Sequence, residues 1–186
     1  MKKDDLIQSI YEVFKDVQLD DGIGLWEARM IDDYYEESDS RYTEVRQKDE
    51  RKDWKKLLPI FLNQDDKKNY VSDTWTFMDV KGKLFHLPLF LLQDIHYGNS
   101  EDYLFYNPII YYLTIIDSDN NSLEFFKNLN ISQKKLLLNF LEYKVHEYII
   151  KNNEDSDYED KLSEYQKAKE NFVRFIYHAN HFIIQS

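Results

Sequence analysis

Apolar residues recur at helical spacing along most of this chain, and one stretch breaks the pattern. Leu6, Ile7, Ile10, Phe14 and Val17 follow Asp4 and Asp5 at three- and four-residue intervals, which predicts an amphipathic helix over about residues 4–17. LDDGIG at 19–24 ends it. A second helix is expected over about 25–37, with Leu25, Ala28, Ile31 and Tyr35 on one face and Glu27, Asp32, Asp33 and Glu36 on the other. Residues 38–56 mix both charge signs with few apolar anchors, and read as a polar loop and then a solvated helix ending near Leu58. Pro59 then opens a short helix, PIFLNQ. Trp54 is the one large apolar residue of the charged segment and reads as the anchor pinning it to the core.

The break comes at residues 75–92, WTFMDVKGKLFHLPLFLL. Trp75 and Phe77, then Leu84, Phe85 and Leu87, predict two short strands. Val80-Lys81-Gly82-Lys83 supplies the turn, and Gly82 the residue able to take positive φ. Pro88 would stop the second strand and open a helix to about residue 96. IIYYLTII at 109–116 is rich in β-branched and aromatic residues and reads as a third, well-covered strand, with a helix as the competing reading. Ser132 is the expected N-cap of a helix reaching about 150, and a last helix over about 158–182 would pair with it antiparallel. The expectation is therefore an α+β fold, predominantly helical: a small antiparallel sheet built around a β-hairpin at about residues 74–88, packed against five to six helices. One domain, 1–186, is expected, with 151–186 as a C-terminal helix packed on the main body.

Composition changes this picture in one respect. Hydrophobic residues make up 42% and aromatics 16%, with 15 Tyr, 12 Phe and 3 Trp against 4 Gly and 3 Pro. That argues against global disorder and for long helices over a turn-rich β fold. Cysteine is absent, which excludes disulfides and thiolate chemistry and fits a reducing compartment. The first residues, MKKDDLIQSIYEVF, place two acids directly after the lysines and develop no apolar h-region, and no run approaches the roughly 18 apolar residues of a membrane span. A cytoplasmic protein is expected.

Charge narrows the partners. Thirty-five acids against 24 bases leave a net charge of −11, which repels nucleic acid and anionic lipid and suits a basic protein partner, such as a toxin or effector. Moderate negative charge also keeps a tyrosine-rich chain soluble, and that alone could account for it. The acidic helical segments offer the first partner-binding candidates: Glu27, Asp32, Asp33, Tyr34, Glu36 and Glu37, then Asp155, Asp157, Glu159 and Asp160.

Candidate chemistry is sparse. Asp79 and His86 flank the expected hairpin turn, where an acid could orient a general base, but Asp79 bonding the turn amides and His86 capping the sheet edge is the plainer account. His178 and His181 stand three apart on a helix and could share a metal ion with a third ligand, but two interfacial histidines are the plainer account. His146-Glu147 lacks the second histidine of a zinc motif, and neither a phosphate-cradling glycine loop nor a G-x-S-x-G elbow occurs. No catalytic residue, metal or cofactor is assigned.

The order of motifs resembles a known family. GIGLWEARMIDDYY, DERKDWKKLLPIFL, WTFMDVKGKLFHLPLFLL and LNISQKKLLLNFLEYK are similar to the landmarks of a bacterial family known as domain of unknown function 6714, over about residues 22–144. The segment carrying Phe77, Asp79, Gly82, Phe85, Leu87 and Pro88 is the most specific, with Trp54 in an acid-then-Trp landmark. Gln133 directly follows Ser132 instead of standing further on, and the helix after Asn152 lies outside the pattern. The resemblance implies an α+β domain without an assigned activity, of the type of the small acidic proteins of bacterial toxin and immunity neighbourhoods. The function expected is a non-catalytic acidic binding protein, an immunity-type or other inhibitor. An enzyme or metal protein using Asp79/His86 or His178/His181, and a nucleic-acid-mimicking inhibitor, are the alternatives.

Overall fold

The computed structural model describes residues 1–35, 38–62, 71–98, 107–154 and 158–183, without the side chains of 71, 72, 121, 154 and 179–183. Every regular element among them is helical: α1 (Lys3–Val13), α2 (Leu25–Asp32), α3 (Ser40–Lys48), α4 (Leu58–Phe61), α5 (Val71–Thr74), α6 (Val80–Tyr97), α7 (Pro108–Thr114), α8 (Asn120–Asn128), α9 (Ile131–Glu154) and α10 (Glu159–Ile183). Short 3₁₀ turns, Trp54–Leu57 and Trp75–Phe77, precede α4 and α6. The expected α+β class is thereby corrected: no strand or sheet occurs among the described residues. The chain divides into two compact units, one made of Met1–Val13 with Ile109–Ser186 and the other of Phe14–Pro108.

In the first unit α1 and α10 both pack on α9. Leu6 and Ile10 of α1 and Leu136, Leu137, Phe140, Leu141, Tyr148, Tyr165, Phe172 and Phe175 of the long pair are buried. Phe126 of α8 meets Phe172 and Phe175 at ring separations of 5.8 and 6.4 Å. The expected strand at 109–116 is instead mostly α7. Its buried positions Ile109, Ile110, Leu113 and Ile116 follow helical spacing, while Tyr111 between them is exposed. Pro108 starts α7, where its missing N–H costs nothing, and burial of the apolar stripe outweighs the β preference of isoleucine. The start of α9 also differs from expectation. Asn130, not Ser132, caps it: Gln133 N donates to Asn130 Oδ1 and Asn130 N to Gln133 Oε1, both at 2.9 Å. This is a reciprocal capping box, satisfying two amide donors at once.

In the second unit the expected hairpin is the start of α6. Asp79 is its N-cap, accepting from Gly82 N at 2.7 Å, and fourteen of the eighteen residues are buried. A helix covered on nearly every side has no polar face, so no helical period shows in its sequence. Pro88 does not begin the helix but lies inside it. An interior proline costs about 3 kcal/mol, and burying one Leu or Phe returns about 1.5–3 kcal/mol, so the covered Phe85, Leu87, Leu89, Phe90, Leu91 and Leu92 outweigh it. Phe90 contacts Phe61 and Trp75 edge-on at 5.1 and 5.2 Å. Trp54 is buried, and its indole N–H donates to Phe14 O at 2.9 Å. Among the described residues no helix is long and apolar enough to cross a membrane.

Candidate functional site

The loop at 19–24 is the point on which the polar side chains of the second unit converge. Its glycines leave α2 without a side-chain cap of its own, Gly24 standing at the N-cap. The cap is supplied from beyond α3: Asp49 Oδ1 accepts from Trp26 N at 2.8 Å and Oδ2 from Glu27 N at 3.0 Å. A Cβ at position 24 would lie 2.2 Å from Asp49 Cγ, so only glycine admits the carboxylate. Burial pushes the Asp49 carboxyl above its usual range, against the pull of the two amides, and the nearby Glu27 charge adds to the rise.

Glu27 is the centre of the second layer of this knot. It was expected on the polar face of α2 and is instead 1% exposed. Its Oε1 accepts from Tyr42 O–H at 2.7 Å and from Arg46, while Oε2 is buried with no partner among the described residues. The bond to Glu27 holds the Arg46 guanidinium above its usual pKa, so it stays charged, and its other end donates to Asp21 O at 2.7 Å. Arg51 donates to the carbonyls of Asp20 and Gly22 at 2.8 and 2.7 Å, and Leu19 N returns a bond to Arg51 O at 2.9 Å. Lys81 of α6 pairs with Asp21, and Asp79 Oδ1 accepts from Ile23 N at 3.0 Å as well as capping α6. Three landmark segments of the second unit therefore meet here, with Asp49, Arg51 and Asp79 bonding backbone and Lys81 pairing with a side chain.

Removing the Asp49 carboxylate should show this directly. Asp49→Ala strands the Trp26 and Glu27 amides at a buried helix start and is expected to lower stability by about 2 kcal/mol, seen as a lower urea midpoint with an unchanged m-value. An unmoved midpoint would mean that the cap is dispensable.

A second polar cluster lies within α9 and α10. Lys144 is fully buried and pairs with Glu147 Oε2 at 2.8 Å, its ammonium 4.7 Å from the Tyr148 ring centre and 5.9 Å from that of Tyr165. Tyr143 O–H donates to Glu147 Oε1 at 3.1 Å, and burial followed by the Glu147 charge pushes its phenol up to about 12. This cluster was missed from sequence, although Glu147 stands four residues after Tyr143 and three after Lys144, spacings that bring side chains together on a helix.

The remaining candidates fall into three groups. Asp32 and Asp33 lie at the end of α2 and pair with Arg29 at 3.2 and 3.4 Å; Tyr34 beyond them is 95% exposed. Glu159 and Asp160 are exposed in the first turn of α10, where acids complement the helix dipole. Glu36, Glu37, Asp155 and Asp157 lie outside the described residues. Asp79 and His86 are not brought together, because on a helix they stand about two turns, roughly 10 Å, apart. Phe85, Leu87 and Pro88 are buried core, and Phe77 is half-buried. His178 is exposed, and the His181 side chain is outside the described set. Among the described residues no group of three or more His, Asp or Glu could hold a metal ion.

These features define an all-helical protein, among its described residues, whose landmark side chains are spent on its own backbone and core. The chain belongs to the family of unknown function DUF6714, whose model matches residues 2–170. The match therefore reaches well into α10, which the landmark segments alone had left out. Neither a search of curated proteins nor a search of solved structures finds a match. The family description carries no activity, and neither a bacterial source nor an immunity role follows from it.

Proposed function

We propose that this is a non-catalytic binding protein that engages a basic protein partner through the outer face of α2. One observation carries the reading: α2 buries its first-turn carboxylate, Glu27 at 1% exposure, and leaves the neighbouring Trp26 at 42%. That inverts the ordinary economy of an amphipathic helix, and an exposed large apolar residue beside a buried charge is the informative kind of departure. Tryptophan is among the residue types that dominate binding energy at interfaces, and Asp32 and Asp33 at the other end of α2 add charge suited to lysine and arginine. The net charge of −11 would steer a basic partner towards the chain. The role belongs in the cytoplasm, which a chain without cysteine fits.

The test is affinity capture of the products of neighbouring genes on the full chain. A basic product is expected to bind, with affinity reduced at least tenfold by Trp26→Ala and reduced again, in a salt-dependent way, by Asp32→Lys with Asp33→Lys. Capture of no basic product, or affinities untouched by all three substitutions, would overturn the reading.

A further inference from the structure

The end of α2 contains an expense that the fold itself does not recover. Tyr34 N donates to Ile31 O and Tyr35 N to Met30 O, both at 3.0 Å, which is the Schellman pattern of helix termination. The residue at its pivot takes the left-handed conformation, and glycine or asparagine ordinarily stands there. Here it is tyrosine, at φ 64°. The other non-glycine residue with positive φ among the described set, Asp20 at 51°, is of a type that tolerates it. Tyr34 does not, and its 95% exposure means that the ring gains almost no packing in return.

Its position suggests where the return is made. Trp26 and Met30 stand four apart on one side of α2, and Tyr34 follows in the turn that ends it, two residues past the last helical one and more exposed than Trp26. Asp33 adjoins Tyr34, its side chain 47% exposed, and the Arg29 that pairs with Asp32 and Asp33 is itself 32% exposed. Residues 29–37 carry four acids against that one arginine, a local negative charge complementary to a basic surface.

We infer that Tyr34 is the anchor of this surface: its ring enters an apolar pocket on a basic protein, whose flanking lysines or arginines take Asp32 and Asp33 over from Arg29. This rests on the binding role proposed above and adds the residue that would dominate it. Strained backbone displaying an exposed aromatic trades fold stability for recognition.

The experiment compares Tyr34→Gly, Tyr34→Phe and Trp26→Ala with the unaltered chain, measuring melting temperature and affinity for the basic neighbouring-gene product that it captures. Tyr34→Gly should melt a few degrees higher while binding at least tenfold more weakly, and Tyr34→Phe should bind within about threefold of the original. Glycine binding as tightly as tyrosine while Trp26→Ala weakens the complex would overturn the anchor role and leave the binding role standing. Capture of no basic product overturns both. A lower melting temperature for Tyr34→Gly would remove the argument from strain.

Discussion

Gly82→Ala is expected to destabilise the protein by about 3 kcal/mol, although alanine is the best helix former and Gly82 lies inside a helix. Two effects of opposite sign compete here. Helix propensity favours alanine by about 1 kcal/mol. Against it, a Cβ at this position would lie 2.2 Å from Ile23 O and 3.1 Å from both Asp79 Oδ1 and Met78 Cβ. The nearest obstacle is backbone, and it cannot swing aside as a flexible side chain would, because Ile23 N is itself bonded to Asp79 Oδ1. Making room means prising the loop at 19–24 from the start of α6, which loosens the bonds of Arg46, Arg51 and Lys81 with it. The measurement is urea unfolding of Gly82→Ala beside an alanine substitution at an exposed helical site. A Gly82→Ala variant as stable as the original would show that the close approach carries no energy.

The same glycine shows how far the sequence could be read. Asp-x-x-Gly suits a turn, and it also suits an N-cap accepting from the third residue of a helix; the residue types are shared, and only tertiary packing chooses between them. Gly82 was expected to take positive φ, yet no described glycine does, and its small size serves contact with another segment. Helices with one polar face were legible: α1, α9 and α10 lie close to their expected places. The buried α6 was not, since its uniform apolarity erased the period and its proline looked like punctuation. The cap of α9 was available to be read, because Asn130 stands three before Gln133 while Ser132 stands three before a lysine. Glu27 was beyond local reading altogether: its position looks solvent-facing until Tyr42 and Arg46 arrive from α3.

His86 supplies the largest pH effect expected of this fold. The ring is fully buried, with Phe85 at 5.1 Å and Phe61 at 6.4 Å between ring centres. Its Nδ1 lies 2.8 Å from Gly82 O and must therefore carry the proton it donates, while Nε2 is buried with no partner among the described residues. Protonating Nε2 would place a charge and an unsatisfied donor in an apolar core, and burial accordingly lowers the pKa from 6.5 to about 4, with the Gly82 bond only partly opposing it. Between those two values the unfolded chain binds a proton at His86 that the folded chain refuses. Stability conferred by the neutral ring is thus complete above about pH 6.5 and falls as the pH drops towards 4, by on the order of 3 kcal/mol in all. Asp49, whose carboxyl is raised by burial, contributes with the opposite sign, favouring the folded state as pH falls. In urea unfolding at pH 7 and pH 4.5, His86→Phe should show a distinctly smaller loss than the original chain, whatever its stability at pH 7. NMR should find the His86 ring shifts constant down to about pH 5. An equal loss in the two proteins, or a His86 ring titrating near 6.5, would show that the ring reaches water.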